Sequence, residues 1–365
     1  MIYLDHAATS FHKPPSVKRA MLYALQHCAN PGRGGYREAM EAAELVFSCR
    51  ETAGSLFDCS PEQVVFTSNC THGLNIAIST LVRPGGRVLI SGFEHNAVTR
   101  PLHALGADIV LAGDRLFDWD NTLEQFERGL KSGVEAAVFT HVSNVFGYIL
   151  PVDEMAALCR KYRVPFAVDA AQSAGSLPVS LSAWGADFVA MPGHKGLLGP
   201  QGTGLLLCAR APKPLLYGGT GSLSMQQEMP DFLPDRLEAG TLNVPGIAGL
   251  EAGMRYVRQL GLPGIFRQEK RQTQRCIFGL EKLGYRVFSG PHQAGVLSFV
   301  PKMDCQQMAD MLSQQHIAVR GGLHCAPLAH QTAGTLDTGT LRISFGHQSQ
   351  DRHTDLLLQK IRQIT

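Results

Sequence analysis

No apolar run in this 365-residue chain approaches the roughly 20 residues that a membrane-crossing helix needs. Charge of neither sign dominates: 33 Lys and Arg stand against 31 Asp and Glu, without a long run of one sign. That balance leaves no footprint for a nucleic-acid or anionic-membrane partner. The nine cysteines are scattered and odd in number, and no Cys-x-x-Cys occurs. A large, cysteine-sparse chain of this kind reads as reduced and cytoplasmic rather than as a disulfide scaffold. Its start, Met1-Ile2-Tyr3-Leu4-Asp5-His6, lacks the basic and apolar regions of a secretory signal. Also missing are Gly-x-x-x-x-Gly-Lys-Ser/Thr, Gly-x-Gly-x-x-Gly, Gly-x-Ser-x-Gly and His-Glu-x-x-His. Nucleotide, dinucleotide, serine-hydrolase and zincin readings therefore lose their usual support.

What is present is ordinary globular composition, with 44% hydrophobic and 18% charged residues. Disorder, collagen-like repeats and coiled coil are excluded, and the length suits one large or two modest domains. Short β-branched runs at 63–67, 87–90, 108–111, 136–140, 165–169, 188–191 and 204–208 alternate with helical patterns such as 71–81 and 153–162. The alternation predicts an α/β fold, a mostly parallel seven-stranded sheet with helices on both faces. Helices are expected at 15–28 and 37–57 before this core. An irregular stretch follows at 217–245, then helices at 245–260, 263–283, 304–314 and 351–363 among further strands. We read a large domain over 16–245. Segments 1–15 and 246–365 form a smaller α+β domain, with the N-terminal arm crossing between the two. No internal repeat or low-complexity tract is visible.

In such folds ligands bind outside the carboxyl ends of strands. After the first strand come Ser68-Asn69-Cys70-Thr71-His72-Gly73 and an apolar helix. Exposed N–H groups there suit a phosphate, and an ordinary N-cap uses the same residues. After the second strand, His95 could stack on an aromatic ligand or sit in a polar loop. After 136–140, Asn144 could donate to a ring oxygen or serve a turn. Asp169, directly after an apolar strand, is costly to bury alone. It could anchor a protonated ring nitrogen, bind a metal or cap the next helix. Metal is disfavoured, since no His-x-x-x-His or second nearby carboxylate accompanies it. After 188–191 comes Pro192-Gly193-His194-Lys195-Gly196. A lysine between glycines at a strand end is either a loop residue or, if burial lowers its pKa, an amine nucleophile. A phosphate turn, a stacking ring, a ring-oxygen donor, an acid and a lysine, in that order, are what pyridoxal phosphate requires.

At these residues the chain resembles fold-type I, class V pyridoxal-phosphate enzymes, specifically the cysteine desulfurase and selenocysteine lyase group. The resemblance runs from Tyr3-Leu4-Asp5-His6-Ala7-Ala8-Thr9 to Leu341-Arg342-Ile343-Ser344. Its sharpest pieces are His141-Val142-Ser143-Asn144, Val168-Asp169-Ala170-Ala171-Gln172, Gly193-His194-Lys195, Glu238-Ala239-Gly240-Thr241 and Arg320-Gly321-Gly322-Leu323-His324-Cys325. It implies that Lys195 carries the cofactor as a Schiff base and Asp169 pairs with its ring nitrogen. Gln172 would bond the phenolic oxygen, His95 would stack on the ring, and Asn144 would lie near ring oxygen and substrate. Cys70, Thr71 and His194 would border the phosphate, with Thr241 reaching it from a partner subunit, so a homodimer is implied. Arg342 would bind the substrate carboxylate, with Arg320 beside it. Cys325 would be the persulfide-forming nucleophile, in a short cysteine loop like that of group II members, and His324 and Arg320 would favour its thiolate. The chain departs from the pattern at Pro192, where many relatives have serine, and at Cys70-Thr71-His72, where Thr-Thr-Glu is usual. The expected activity is conversion of L-cysteine to L-alanine, with sulfur left on Cys325 for an acceptor protein and His95 a candidate to move the thiol proton. A selenocysteine lyase, another class V aminotransferase or lyase, and a non-catalytic scaffold are the alternatives.

Overall fold

The structure is a computed structural model and describes residues 1–32 and 34–364. The chain begins with β1 (Ile2–Tyr3), α1 (Pro15–His27) and α2 (Arg37–Phe57), and continues into β2 (Val64–Thr67), α3 (Cys70–Leu81), β3 (Arg87–Ser91) and α4 (Asn96–Ala104). Next come β4 (Asp108–Ala112), α5 (Trp119–Lys131), β5 (Ala136–Thr140), α6 (Val152–Tyr162), β6 (Phe166–Asp169), α7 (Leu181–Trp184), β7 (Phe188–Pro192) and β8 (Gly204–Cys208). No helix or strand interrupts 209–243. The remainder is α8 (Val244–Leu260), α9 (Leu262–Lys282), β9 (Arg286–Phe288), β10 (Val296–Val300) and α10 (Cys305–Gln314). It ends with β11 (Ile317–Ala318), β12 (Arg320–Gly322), α11 (Pro327–Ala333), β13 (Thr340–Ser344) and α12 (Asp351–Ile364). Among the described residues no helix is long and apolar enough to cross a membrane.

Seven strands form the main sheet in the order β2-β8-β7-β6-β5-β3-β4. Five of them, β7 to β4, run parallel, and β8 is antiparallel to both its neighbours. The reason is local. A parallel return needs a crossover, usually a helix, and the link from β7 to β8 is a helix-free loop that carries Lys195. Strands β5 to β8 are buried at every position, which is why they read as continuous apolar runs. Their side chains alternate between two cores. Leu89, Phe139, Val168 and Leu207 pack with α2, α5, α6 and α8, while Val88, Val138, Ala167 and Leu206 pack with α3 and α4.

A second sheet, β12-β13-β10-β9, packs with α9, α10 and α12 around Leu297, Phe299, Met308 and Leu357. The N-terminal arm joins both bodies. Strand β1 pairs in parallel with β11, and Ser344 N–H bonds Leu4 O at 2.8 Å. Five and six residues on, Thr9 and Ser10 donate to the carbonyl of His194, beside Lys195. An ion pair fixes the irregular segment. Arg50 of α2 meets Glu238 at 2.5 Å, and Glu238 also accepts from Phe66 N of β2 at 2.7 Å, both side chains being buried.

Candidate active site

The loops after β2, β3, β5, β6 and β7 converge on one cavity of about 240 Å³. It gathers Cys70, Thr71, His95, Asn144, Asp169, Gln172, His194, Lys195, Arg320, Cys325 and Arg342. Two of these loops meet without intervening side chains. A Cβ on Gly196 would lie 2.3 Å from Ala174 O, and one on Gly175, whose φ is +97°, 2.3 Å from Gly196 O. Only glycine allows that approach, and it brings the Lys195 loop against the Gln172 loop.

Asp169 ends β6 and is 3% exposed. Its Oδ1 accepts from Ala171 N at 2.8 Å and from the Cys70 thiol at 3.4 Å. Both contacts use Oδ1, and Oδ2 makes no hydrogen bond to the described residues. Burial lowers the pKa of the Lys195 amine, and the Asp169 charge opposes this in part. The amine makes no hydrogen bond to the described residues. Burial pulls His95 down to about 4, so its imidazole is neutral at physiological pH. Its Nδ1 accepts from Ala97 N at 3.0 Å and caps α4, which leaves Nε2 as the protonated nitrogen.

Opposite Lys195 runs a chain of polar contacts. Arg342, 1% exposed on β13, meets Asp5 at 2.7 Å and donates from its other terminal nitrogen to Asn144 O at 3.0 Å. The Asn144 amide donates to His324 O at 2.8 Å, and Asn96 N donates to Cys325 O at 2.8 Å. His324 and Cys325 both hold left-handed backbone, with φ of 50° and 56°. Non-glycine residues avoid that region unless they are held there. The thiol of Cys325 is exposed, the one exposed cysteine of the nine.

Some residues take positions their motifs do not announce. The amide of Gln172 donates to Ala7 O at 3.0 Å, and the ring of His194 meets Thr9 Oγ1 at 3.0 Å. Thr241 lies outside the Lys195 cavity of its own chain, in a groove with Ser68 and His72 on the far face of the turn before α3. Three features escaped the reading of the sequence. Asp5 holds Arg342. Glu94, wholly buried, accepts from Ser91 Oγ and from Thr140 N at 2.9 Å, and burial pushes its carboxyl up to about 8. Behind Lys195 lies a second chamber of about 60 Å³, which His6, Glu269 and His347 also line. The only signal in sequence for Glu94 is an acid three residues beyond an apolar strand; for the others there is none.

The donor set fits pyridoxal phosphate. Asp169 uses only Oδ1 in its hydrogen bonds to the described residues, which leaves Oδ2 for a protonated ring nitrogen, and the unengaged amine of Lys195 suits an aldehyde. The buried Asn144 Oδ1 also lacks a partner. The N-terminus of α3, with Thr71 and His194 beside it, offers anion-binding groups on the same cavity.

Comparison with known proteins agrees in extent. The family model described as Aminotransferase class-V matches residues 2–357. The chain is 32% identical over 380 residues to a probable cysteine desulfurase of Methanothermobacter thermautotrophicus, covering 100% of this chain and 94% of that one. It is 32% identical to a probable cysteine desulfurase of Pyrococcus abyssi, covering 94% of this chain and 89% of the relative. Among solved structures, the apo cysteine desulfurase of Thermococcus onnurineus NA1 superposes with a TM-score of 0.91 at 32% identity, covering 100% and 94% of the two chains.

Proposed function

The chain belongs to the class-V aminotransferase family, and from that premise we propose that it is a pyridoxal-phosphate-dependent cysteine desulfurase. One observation carries the reading: Lys195, Asp169 and Cys325 line a single cavity, an amine and a thiol facing the space above a buried acid. Asp169, Gln172, Asn144, Thr71, Cys70 and His194 would hold the cofactor, with Thr241 of the partner subunit reaching its phosphate in a homodimer. When bound, the cofactor supplies an aldehyde for the substrate amine and a cationic ring that draws electrons from the substrate Cα.

The chain's own groups do the rest. Arg342 and Arg320 receive the substrate carboxylate, and the Asp5 contact fixes the plane in which Arg342 presents its remaining N–H groups. Lys195, its pKa lowered by burial, takes the Cα proton. Neutral His95, its Nδ1 held by Ala97 N and its Nε2–H turned to the cavity, donates a hydrogen bond to thiolate sulfur there rather than taking a proton from it. The Cys325 thiolate then attacks the substrate sulfur. A bond forms between Cys325 Sγ and that sulfur, the substrate Cβ–S bond breaks, and its electron pair stays on the carbon that becomes the alanine methyl. Sulfur remains on Cys325 as a persulfide for an acceptor.

Incubation with L-cysteine should add one sulfur to the peptide containing Cys325, as read by mass spectrometry, with one alanine released. Borohydride should fix the pigment on Lys195. A pigment fixed elsewhere, or a Cys325 peptide of unchanged mass, sinks the proposal. Selenocysteine run in parallel measures chalcogen preference.

A further inference from the structure

Cys325 faces two spaces. It lines the Lys195 cavity, and it also lines an adjoining outer groove of about 390 Å³ between α3 and α4. Thr71 and Asn75 form one wall of this groove, and Asn96, Arg100 and Pro101 the other. Thr71, His95, Ala97 and Cys325 line both spaces, so Cys325 stands on the boundary between the inner cavity and the outer groove. A sulfur taken from one side can be handed on from the other while the loop keeps its clamps at Asn144 and Asn96.

The groove has a definite chemistry. Arg100 is exposed and forms no ion pair or hydrogen bond with the described residues. No carboxylate lines the groove. The Asn75 amide is already used on Thr71 O at 2.8 Å, so Arg100 is the uncommitted charge there. Its volume falls in the range of small-molecule sites, roughly 300–1,000 Å³. An uncompensated cation beside a reactive sulfur selects an anionic partner by charge.

We propose that this outer groove is the acceptor site, and that it takes a small thiol carrying a carboxylate, which pairs with Arg100. The proposal rests on the desulfurase reading, since the sulfur to be accepted is the one left on Cys325. The acceptor thiolate attacks the outer sulfur of the persulfide. A new S–S bond forms on the acceptor, the bond to Cys325 Sγ breaks, and its electron pair returns Cys325 to the thiolate. No external oxidant or reductant enters, and the acceptor leaves as a persulfide.

The test uses holoenzyme loaded once with L-cysteine and freed of excess, so that only discharge is followed. Loss of the added sulfur from Cys325 is timed with 3-mercaptopropionate, 2-mercaptoethanol and cysteamine, which are anionic, neutral and cationic. Each thiol is compared with itself across variants, so intrinsic reactivity cancels. Arg100→Glu should slow 3-mercaptopropionate about three- to tenfold, speed cysteamine, and leave 2-mercaptoethanol within about twofold. Asn75→Asp, which adds a negative charge to the opposite wall and keeps Arg100, should shift the same way by less. Raising the salt concentration should shrink both effects. A common factor for all three thiols in both variants overturns the acceptor site. Absence of added sulfur on Cys325 before any thiol is supplied overturns the underlying reading instead.

Discussion

The amide of Asn144 donates to the carbonyl oxygen of His324 at 2.8 Å, so the loop after β5 grips the residue that precedes Cys325. His324 reinforces the grip from below, its ring nitrogen lying 3.2 Å from Thr340 O. Two consecutive left-handed residues would relax if released, and these contacts hold them. The same Asn144 faces the cofactor space with an unpartnered Oδ1. Asn144→Ala should therefore loosen Cys325 even in cofactor-free protein, removing about 1–3 kcal/mol of anchoring. The readout is the iodoacetamide labelling rate of Cys325, which should change with the cofactor absent. An unchanged rate would place Asn144 on the cofactor side alone.

Lys195 and Cys325 carry separable halves of the proposed reaction. Lys195→Ala should cut alanine formation by on the order of 10²–10⁴-fold, the usual share of a positioned proton-transfer group. Cys325→Ala should keep the visible band of the holoprotein while sulfur release disappears. A Cys325→Ala protein that still releases sulfide at the original rate contradicts the assignment.

Asp169 is shared between Ala171 N and the Cys70 thiol on one oxygen, leaving the other for the ring nitrogen. Asp169→Asn removes the charge that keeps that nitrogen protonated. Turnover should fall about 10²-fold or more, with a changed absorption band. Cys70→Ala deletes only a long contact and should cost far less.

How much of this was legible in sequence follows from where information is local. Asp169 and Lys195 stood out because a charged residue at the end of an apolar strand has few cheap explanations. The helix at Arg37–Phe57 was readable to the residue from its periodicity. Glu94 was not, since a carboxyl in a loop looks the same whether it is solvated or wedged against Thr140 N. Asp5 and Arg342 are 337 residues apart, and no local pattern announces their pairing. The left-handed turn at His324 and Cys325 was invisible because neither residue is glycine or asparagine. The antiparallel course of β8 was hidden in the same way, being decided by the lack of a helix in the Lys195 loop.

The Arg50–Glu238 pair predicts a stability effect away from the cavity. Both ends are buried, and Glu238 starts the Glu-Ala-Gly-Thr run that ends at Thr241. Arg50→Ala strands a buried carboxylate and should cost about 3–5 kcal/mol, read as a lower denaturation midpoint. Replacing both residues with apolar ones of similar size should recover much of that loss.

Stability should also depend on pH with a definite turning point. Burial pushes Glu94 and Glu269 up to about 8, against about 4.3 for an unfolded glutamate. The folded chain therefore keeps protons that the unfolded chain gives up, and the stability contributed by these acids is lost as pH rises towards 8. His6, His95, His141, His194 and His330 behave oppositely. Burial lowers each to about 4, against about 6.5 unfolded. Their contribution is present above about 6.5 and is lost as pH falls through 4. Below 6.5 five histidines outweigh two acids, and between 6.5 and 8 the acids act without them. The melting temperature of the cofactor-free protein should peak near pH 6.5 and decline on both sides. The double variant Glu94→Gln, Glu269→Gln should flatten the decline from 6.5 to 8 and leave the acid limb in place. An alkaline limb unaltered in that variant would show that neither carboxyl is protonated in the folded chain at neutral pH.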